Sequence, residues 1–186
     1  MGLSNDSSVS NDNDALFEVK VNNFSEGGLE QSNSQSNSLA EKLKRVLSSA
    51  ICLDKHPRTR IDLSFDVFNS ESDLSSLLSH LINLGSYVLL EAGVNTKDTV
   101  TSCVTCLDRV SGNFVLDPSA KEKKDSEFSL VLASFNTSGD ISYFKTEGKL
   151  ALGLENGDKL SEGLSLAVSA CGRISTKLLE LCDTHL

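Results

Sequence analysis

The pattern of apolar residues predicts an α+β domain, with helices packed on a largely antiparallel or mixed sheet. Three observations lead to that class. Short stretches alternate apolar and polar side chains at the period of a strand, and longer stretches repeat leucine, valine and alanine at helical spacing. The order is strand, helix, strand, helix, a run of three or four strands, then a last helix. With 186 residues, 39% of them hydrophobic, the chain can build one domain with a substantial core and still carry a polar tail.

Residues 1–14 include Ser4-Asn5-Asp6-Ser7-Ser8, too polar to offset the entropy of ordering, and are expected to be a disordered tail. The single domain is expected over residues 15–186. Its first strand is placed at Leu16 to Val21, where Phe17, Val19 and Val21 alternate with Leu16, Glu18 and Lys20. The Gly, Ser, Asn and Gln stretch from 25 to 37 is read as a flexible surface loop. Ser38 and Glu41 have the spacing of a capping box, and Leu39, Leu43, Val46, Leu47, Ala50 and Ile51 then mark one buried helical face.

His56-Pro57 interrupts any continuing helix, and from Arg60 to Phe68 the residues Ile61, Leu63, Phe65 and Val67 alternate with polar ones as in a half-exposed strand. The segment from Ser70 to Asp73 supplies a cap. The following stretch to Ala92 is apolar around most of its circumference, which predicts a central, well-covered helix ended by Gly93. Strands are expected at Thr99 to Leu107, Asn113 to Leu116, Glu127 to Phe135 and Ile141 to Glu147, the last two joined by the turn Ser138-Gly139-Asp140. Leu160, Leu164, Ala167, Cys171, Ile174, Leu178 and Leu181 then define a long amphipathic helix.

The formal net charge of −9 argues against a protein that grips nucleic acid unaided, since that requires a basic face. No apolar run approaches the roughly 20 residues that cross a bilayer, and Asp6 stands where a myristoylation signal needs Ser or Thr; a soluble, intracellular protein with no membrane partner is expected. Five cysteines are read as reduced thiols. Cys103 and Cys106 have metal-pair spacing, but on a strand they face opposite ways and no second pair follows, so buried thiols are expected. His56, His80 and His185 show no ligand spacing, and no metal or cofactor is expected.

Four segments taken together resemble a known family: Lys55-His56-Pro57-Arg58-Thr59-Arg60-Ile61-Asp62-Leu63, Ser72-Asp73-Leu74-Ser75, Leu90-Glu91-Ala92-Gly93-Val94 and Phe114-Val115-Leu116-Asp117-Pro118. In this order they resemble the RNase PH-like ring subunits of the eukaryotic RNA exosome, and among these the messenger RNA transport regulator three type, or exosome component six. The resemblance runs from about Leu16 to about Cys182. It implies an RNase PH-like fold, of the ribosomal protein S5 domain 2-like kind. The family opens with an Arg-Asp-Gly-Arg segment and strands that this sequence lacks, so an N-terminally truncated domain is expected: either the sequence is an incomplete gene model or it is a shortened paralogue, and in the second case the sheet has an unpaired edge that needs a partner.

Active members of the family are phosphorolytic: phosphate attacks the terminal phosphodiester while carboxylates, a metal and arginines manage the charge. The resemblance places their two functional aspartates at about Lys123 and Ser129, neither of which can ligate a cation as an anionic oxygen. Their Thr-Arg pair at the start of the central helix is Ser72-Asp73 here, and on the preceding helix only Arg45 remains, beside Lys42 and Lys44. Asp117 matches an aspartate of the family but reads as a turn residue. The expected function is therefore a non-catalytic ring subunit supporting 3′-to-5′ RNA processing and degradation, with no catalytic residues of its own.

The expected partners are other RNase PH-like subunits, cap proteins and, through the complex, RNA. The expected locations are the nucleus, including the nucleolus, and the cytoplasm. Two basic groups are candidates for lining a shared RNA path, Lys55, Arg58 and Arg60 in one and Lys121, Lys123 and Lys124 in the other. The alternative is a phosphorolytic 3′-to-5′ exoribonuclease with displaced carboxylates. A register shift of about two residues moves the expected pair to Lys121 and Glu127, and Asp125 would have to supply the second acid.

Overall fold

The computed structural model describes residues 15–23, 29–68, 73–149 and 156–185; the expected polar tail lies outside them. Strand β1 (Leu16–Asn23), helix α1 (Leu29–Ala50) and strand β2 (Arg60–Val67) form a crossover unit, with β1 and β2 paired in parallel from Leu16 beside Arg60 to Asn23 beside Val67. Parallel pairing requires such a connection, and α1 supplies it. Phe17, Val19, Val21, Leu63, Phe65 and Val67 all point to one buried face, as their alternation requires. No third strand joins this ribbon among the described residues.

The expected loop at 25–37 is corrected from its fifth residue onward, because α1 begins at Leu29 and carries Ser38 in its interior. Helix propagation costs far less than nucleation, and no Gly or Pro interrupts residues 29–50. Ser36 is buried three residues before buried Leu39, so the packed face of the helix already extends upstream of the apparent capping box.

Helix α2 (Leu74–Glu91) starts where the sequence places it. Asp73 is its N-cap and accepts hydrogen bonds from the Ser75 amide at 2.9 Å and the Ser76 amide at 3.4 Å. Gly93 follows with a left-handed φ of +67°. The small residues of α2 allow close approach: a Cβ on Gly85 would lie 2.7 Å from Leu47 Cδ1 of α1.

The second sheet is antiparallel, in the order β4 (Phe114–Leu116), β3 (Val100–Asp108), β5 (Ser126–Phe135), β6 (Ile141–Gly148). Helix α2 covers one face of it and α4 (Asn156–His185) the other, so β3 is buried on both sides from Val100 to Leu107 and shows no alternation. Two apolar cores result. One gathers β1, β2, α1 and α2 with Val100 and Ala133; the other joins Ala167 and Cys171 of α4 to Cys103, Leu107, Phe128, Leu130 and Leu132. Polar hooks tie the layers: Asn83 exchanges two hydrogen bonds with Ser102, and Thr101 donates to the Cys171 carbonyl at 2.9 Å.

A short helix, α3 (Ala120–Asp125), lies in the charged segment between β4 and β5. Ser119 Oγ accepts from the Glu122 amide at 3.3 Å and Glu122 Oε2 accepts from the Ser119 amide at 2.8 Å, a complete capping box. None of the described helices is long and apolar enough to cross a membrane.

Candidate functional site

The N-terminus of α2, the helix α3 and the end of β6 meet around one side chain, Lys123. Its ammonium donates to the Asp73 carboxylate and to Glu147 Oε2 at 2.9 Å, and its side chain is only 11% exposed. Glu147 Oε1 in turn accepts from Lys145 Nζ at 2.5 Å and from Ser75 Oγ at 3.0 Å. Ammonium and carboxylate groups alternate in this set, and its two cations match its two anions.

Each element contributes for a local reason. The Ser119–Glu122 box fixes α3, so that Lys123, one residue on, turns inward to the start of α2. Asp73 is held by the amides it caps. Lys145 and Glu147 stand two apart on β6 and therefore share a face. That face is the α2 side, because Glu147 is in register with Ser129 and Lys145 with Val131. Burial disfavours the ionised Glu147, but hydrogen bonds from Lys145, Lys123 and Ser75 outweigh it and hold the carboxyl down to about 2. The same contact with Glu147 raises the Lys145 ammonium above its ordinary value.

The positions singled out from sequence separate into distinct settings. Ser129 is 4% exposed on β5, between Cys106 of β3 and Glu147 of β6 in register. A carboxylate thus stands beside the place where the resemblance expects an aspartate, but it comes from the neighbouring strand and is already paired. Asp125 is exposed at the end of α3, and Glu127 is bound to Arg109 at 2.9 Å. Asp117 takes a left-handed φ of +49°, donates its amide to Val104 O at 2.8 Å, and holds its carboxylate, 72% exposed, 3.5 Å from His80 Nε2. These geometries suit the end of a strand and a turn.

Of the basic residues, Lys121 and Lys124 are exposed on α3, whereas Lys123 is turned inward; its placement with them in a solvent-facing group is corrected by its two carboxylate contacts. Lys55 and Arg58 are exposed before β2, and Arg60 begins that strand bound to Asp62 at 2.9 Å. No hydrogen bond or ion pair joins the two basic groups among the described residues. Cys103 and Cys106 are buried on opposite faces of β3, the first in the core beneath α4. His56 accepts the Asn95 amide at 3.1 Å; the side chain of His185 lies outside the described residues. Among the described residues no group of three or more His, Cys, Asp or Glu could hold a metal ion.

Sequence reasoning missed Lys145 and Glu147. Their signal was present, two opposite charges at strand spacing, but which face they occupy follows from the register with β5 and not from local pattern.

Two cavities flank the cluster. One, of about 330 Å³, lies between Asp73, Ser76, His80, Asp117 and Ser119; the other, of about 280 Å³, lies between α1, the first turn of α2 and β6, with Lys42, Tyr143 and Lys145 on its walls. Both adjoin the α2 N-terminus, a position that favours anions. Asp73 already occupies the capping place there.

No family model matches the chain. It is 27% identical over 137 residues to the protein named exosome complex component Rrp41 of Thermoplasma acidophilum, a match that covers 74% of this chain and 51% of that protein. The protein of the same name from Pyrococcus abyssi is 25% identical over 142 residues, 76% of this chain and 53% of that one. This chain therefore spans about half the length of these curated relatives. The crystal structure of rice (Oryza sativa) Rrp46 superposes with a TM-score of 0.69 at 21% identity, covering 91% of this chain and 73% of that chain. The helices and sheets described above are thus an RNase PH-like fold, in a chain whose relatives by sequence bear the name of exosome components.

Proposed function

We infer that this chain serves as a non-catalytic subunit of an exosome-type ring and supports 3′-to-5′ RNA processing and degradation from within the assembled complex. The observation that carries this reading is Lys123, an ammonium fixed between Asp73 and Glu147 where the resemblance expects an anionic metal ligand. A divalent cation entering there would meet a positive charge already in place, and phosphate approaching the start of α2 would meet Asp73. Ser129 is buried beside Glu147, which is itself paired, so among the described residues no free carboxylate pair stands at Lys123 and Ser129, and this supports the reading.

The names borne by the similar proteins support assembly with other exosome subunits, and cap proteins are proposed as further partners. Ring assembly would also cover the unpartnered β1–β2 ribbon. As for the place in the ring, the quoted sequence segments favour the messenger RNA transport regulator three type, while the similar proteins carry the names Rrp41 and Rrp46. Lys55, Arg58 and Arg60, with Lys121 and Lys124, remain the side chains proposed to grip RNA backbone in a shared path, Lys123 being engaged internally. The proposed locations are the nucleus, nucleolus included, and the cytoplasm, which a fluorescent fusion would test.

The test has two arms. Gentle affinity purification of the full chain should bring down RNase PH-like subunits, and the neighbours recovered identify the ring position; their absence refutes the assembly reading. The purified chain, given RNA in phosphate buffer with magnesium, should release no nucleoside diphosphates. Release would establish the phosphorolytic alternative.

A further inference from the structure

A cavity of about 650 Å³ lies between α4 and the edge strand β4, on the opposite face of the sheet from the Lys123 cluster. Its floor is apolar, formed by Leu116, Ala170, Ile174 and Leu178 and reaching in to Cys103. Upstream of it, Phe114 packs on α4, where a Cβ on Gly163 would come within 2.7 Å of the ring. Downstream, Leu116 is 36% exposed.

Three features say what would fill this groove. The first is a free strand edge. Asp108 donates to the Asn113 carbonyl and Asp117 to the Val104 carbonyl, and antiparallel pairing alternates, so the amides and carbonyls of Phe114 and Leu116 point away from β3. No strand pairs with that edge among the described residues.

The second is a cationic rim. Arg173 and Lys177, four residues apart on α4, border the groove; Lys177 pairs with Glu180 at 2.5 Å, while Arg173 has no partner among the described residues. The third is polarity across the groove, because Asp117 lines its β4 side. An acidic group is thus accepted on the α4 side and rejected beside Asp117. These cations stand out in a chain of net charge −9.

We propose that this groove is a docking site for an extended segment of a partner protein, which adds a short strand to β4, sets alternate apolar side chains over Leu116 and Ile174, and presents a carboxylate to Arg173. Edge pairing supplies affinity and the alternate side chains supply selectivity, as in other strand-addition complexes. The site does not rest on the ring reading; it shares Asp117 with the smaller cavity beside the Lys123 cluster.

The test is fluorescence anisotropy of the full chain with a dye-labelled peptide of alternating leucine and threonine bearing one central glutamate. Saturable binding is expected, weakened about ten-fold by glutamine in place of the glutamate, since a charge-assisted contact is lost. Arg173→Glu, an exposed change that leaves the fold intact by circular dichroism, should shift the preference to a lysine peptide. Methylation of alternate backbone amides on the pairing side of the peptide should abolish binding. No saturable binding up to about millimolar peptide overturns the proposal, as does equal binding of the three peptides by both proteins. Binding of dodecanoate without the peptide overturns it in favour of a small amphiphile. Dimerisation blocked by Arg173→Glu, without peptide binding, overturns it in favour of a second copy of the chain.

Discussion

Replacing Lys123 by methionine keeps the aliphatic stem and removes only the charge that Asp73 and Glu147 share. Breaking a fully buried pair by removing one partner costs about 3–5 kcal/mol, and an exposed pair is worth about 0–1. Lys123 is 11% exposed but its carboxylates are 35% and 37% exposed, so solvent screens them and the expected loss is about 2 kcal/mol. In a chain of this length that corresponds to a fall in Tm of about 4–8 °C.

The loss should depend on pH with a fixed sign. The Glu147 carboxyl is held at about 2, below its ordinary 4.5, so its contribution is fully present above about 4.5 and disappears as pH falls through about 2. Without Lys123 that carboxyl moves back toward its ordinary value and has less to contribute. The two proteins should therefore differ most near neutral pH and converge in acid. Urea unfolding followed by far-UV circular dichroism at pH 7 and at pH 3, at constant ionic strength, measures both quantities. A difference below about 0.5 kcal/mol at neutral pH, or one unchanged in acid, would refute the assignment of Lys123 as a shared cation. Lys121→Met, exposed on the same helix, should change stability by less than about 0.5 kcal/mol.

Gly148 sits at φ +94°, and a Cβ there would come within 2.2 Å of the Glu127 carbonyl oxygen, so Gly148→Ala should cost about 2–4 kcal/mol in the same unfolding assay. Asp98 accepts from the amides of Thr99, Thr137 and Ser138 at 2.7, 2.8 and 3.2 Å and from Thr137 Oγ1 at 3.1 Å, pinning the β5–β6 turn to the start of β3. Asp98→Ala should destabilise by about 2 kcal/mol and accelerate amide exchange at residues 136–140 before it affects β3. Charge reversal at both Arg58 and Arg60 should lower the RNA affinity of the assembled complex and flatten its salt dependence by about two contacts; unchanged filter binding across a salt series removes them from the RNA path.

Strands were legible wherever one face is buried and the other wet, as in β1 and β2, because burial imposes a period of two. Both faces of β3 are buried, so its composition, rich in Val and Thr, was the only guide. One spacing occurs twice, and sequence reasoning used it only at Ser38 and Glu41, where it misled. The Ser119–Glu122 box does start α3, while Ser38–Glu41 has the same spacing inside α1. The difference lies upstream. Pro118 and a left-handed Asp117 stop the chain before Ser119, and nothing stops it before Ser38. Local sequence also placed a cap within the segment from Ser70 to Asp73, yet it could not show that Lys123 would seek Asp73, 50 residues away, since this meeting is made by the packing of α3 against the sheet.

That meeting alters how the protein responds to its surroundings. A binding site filled from solution gains stability in proportion to the logarithm of ligand concentration, and its melting point reports the contents of the buffer. Here the cation is tethered to the chain at an effective concentration that dilution cannot lower. Magnesium and phosphate titrated into the protein should leave its Tm unmoved, and the region around α2 should be equally rigid in a cell rich or poor in either ion. The cluster behaves as a permanently occupied site, and what it confers is constancy.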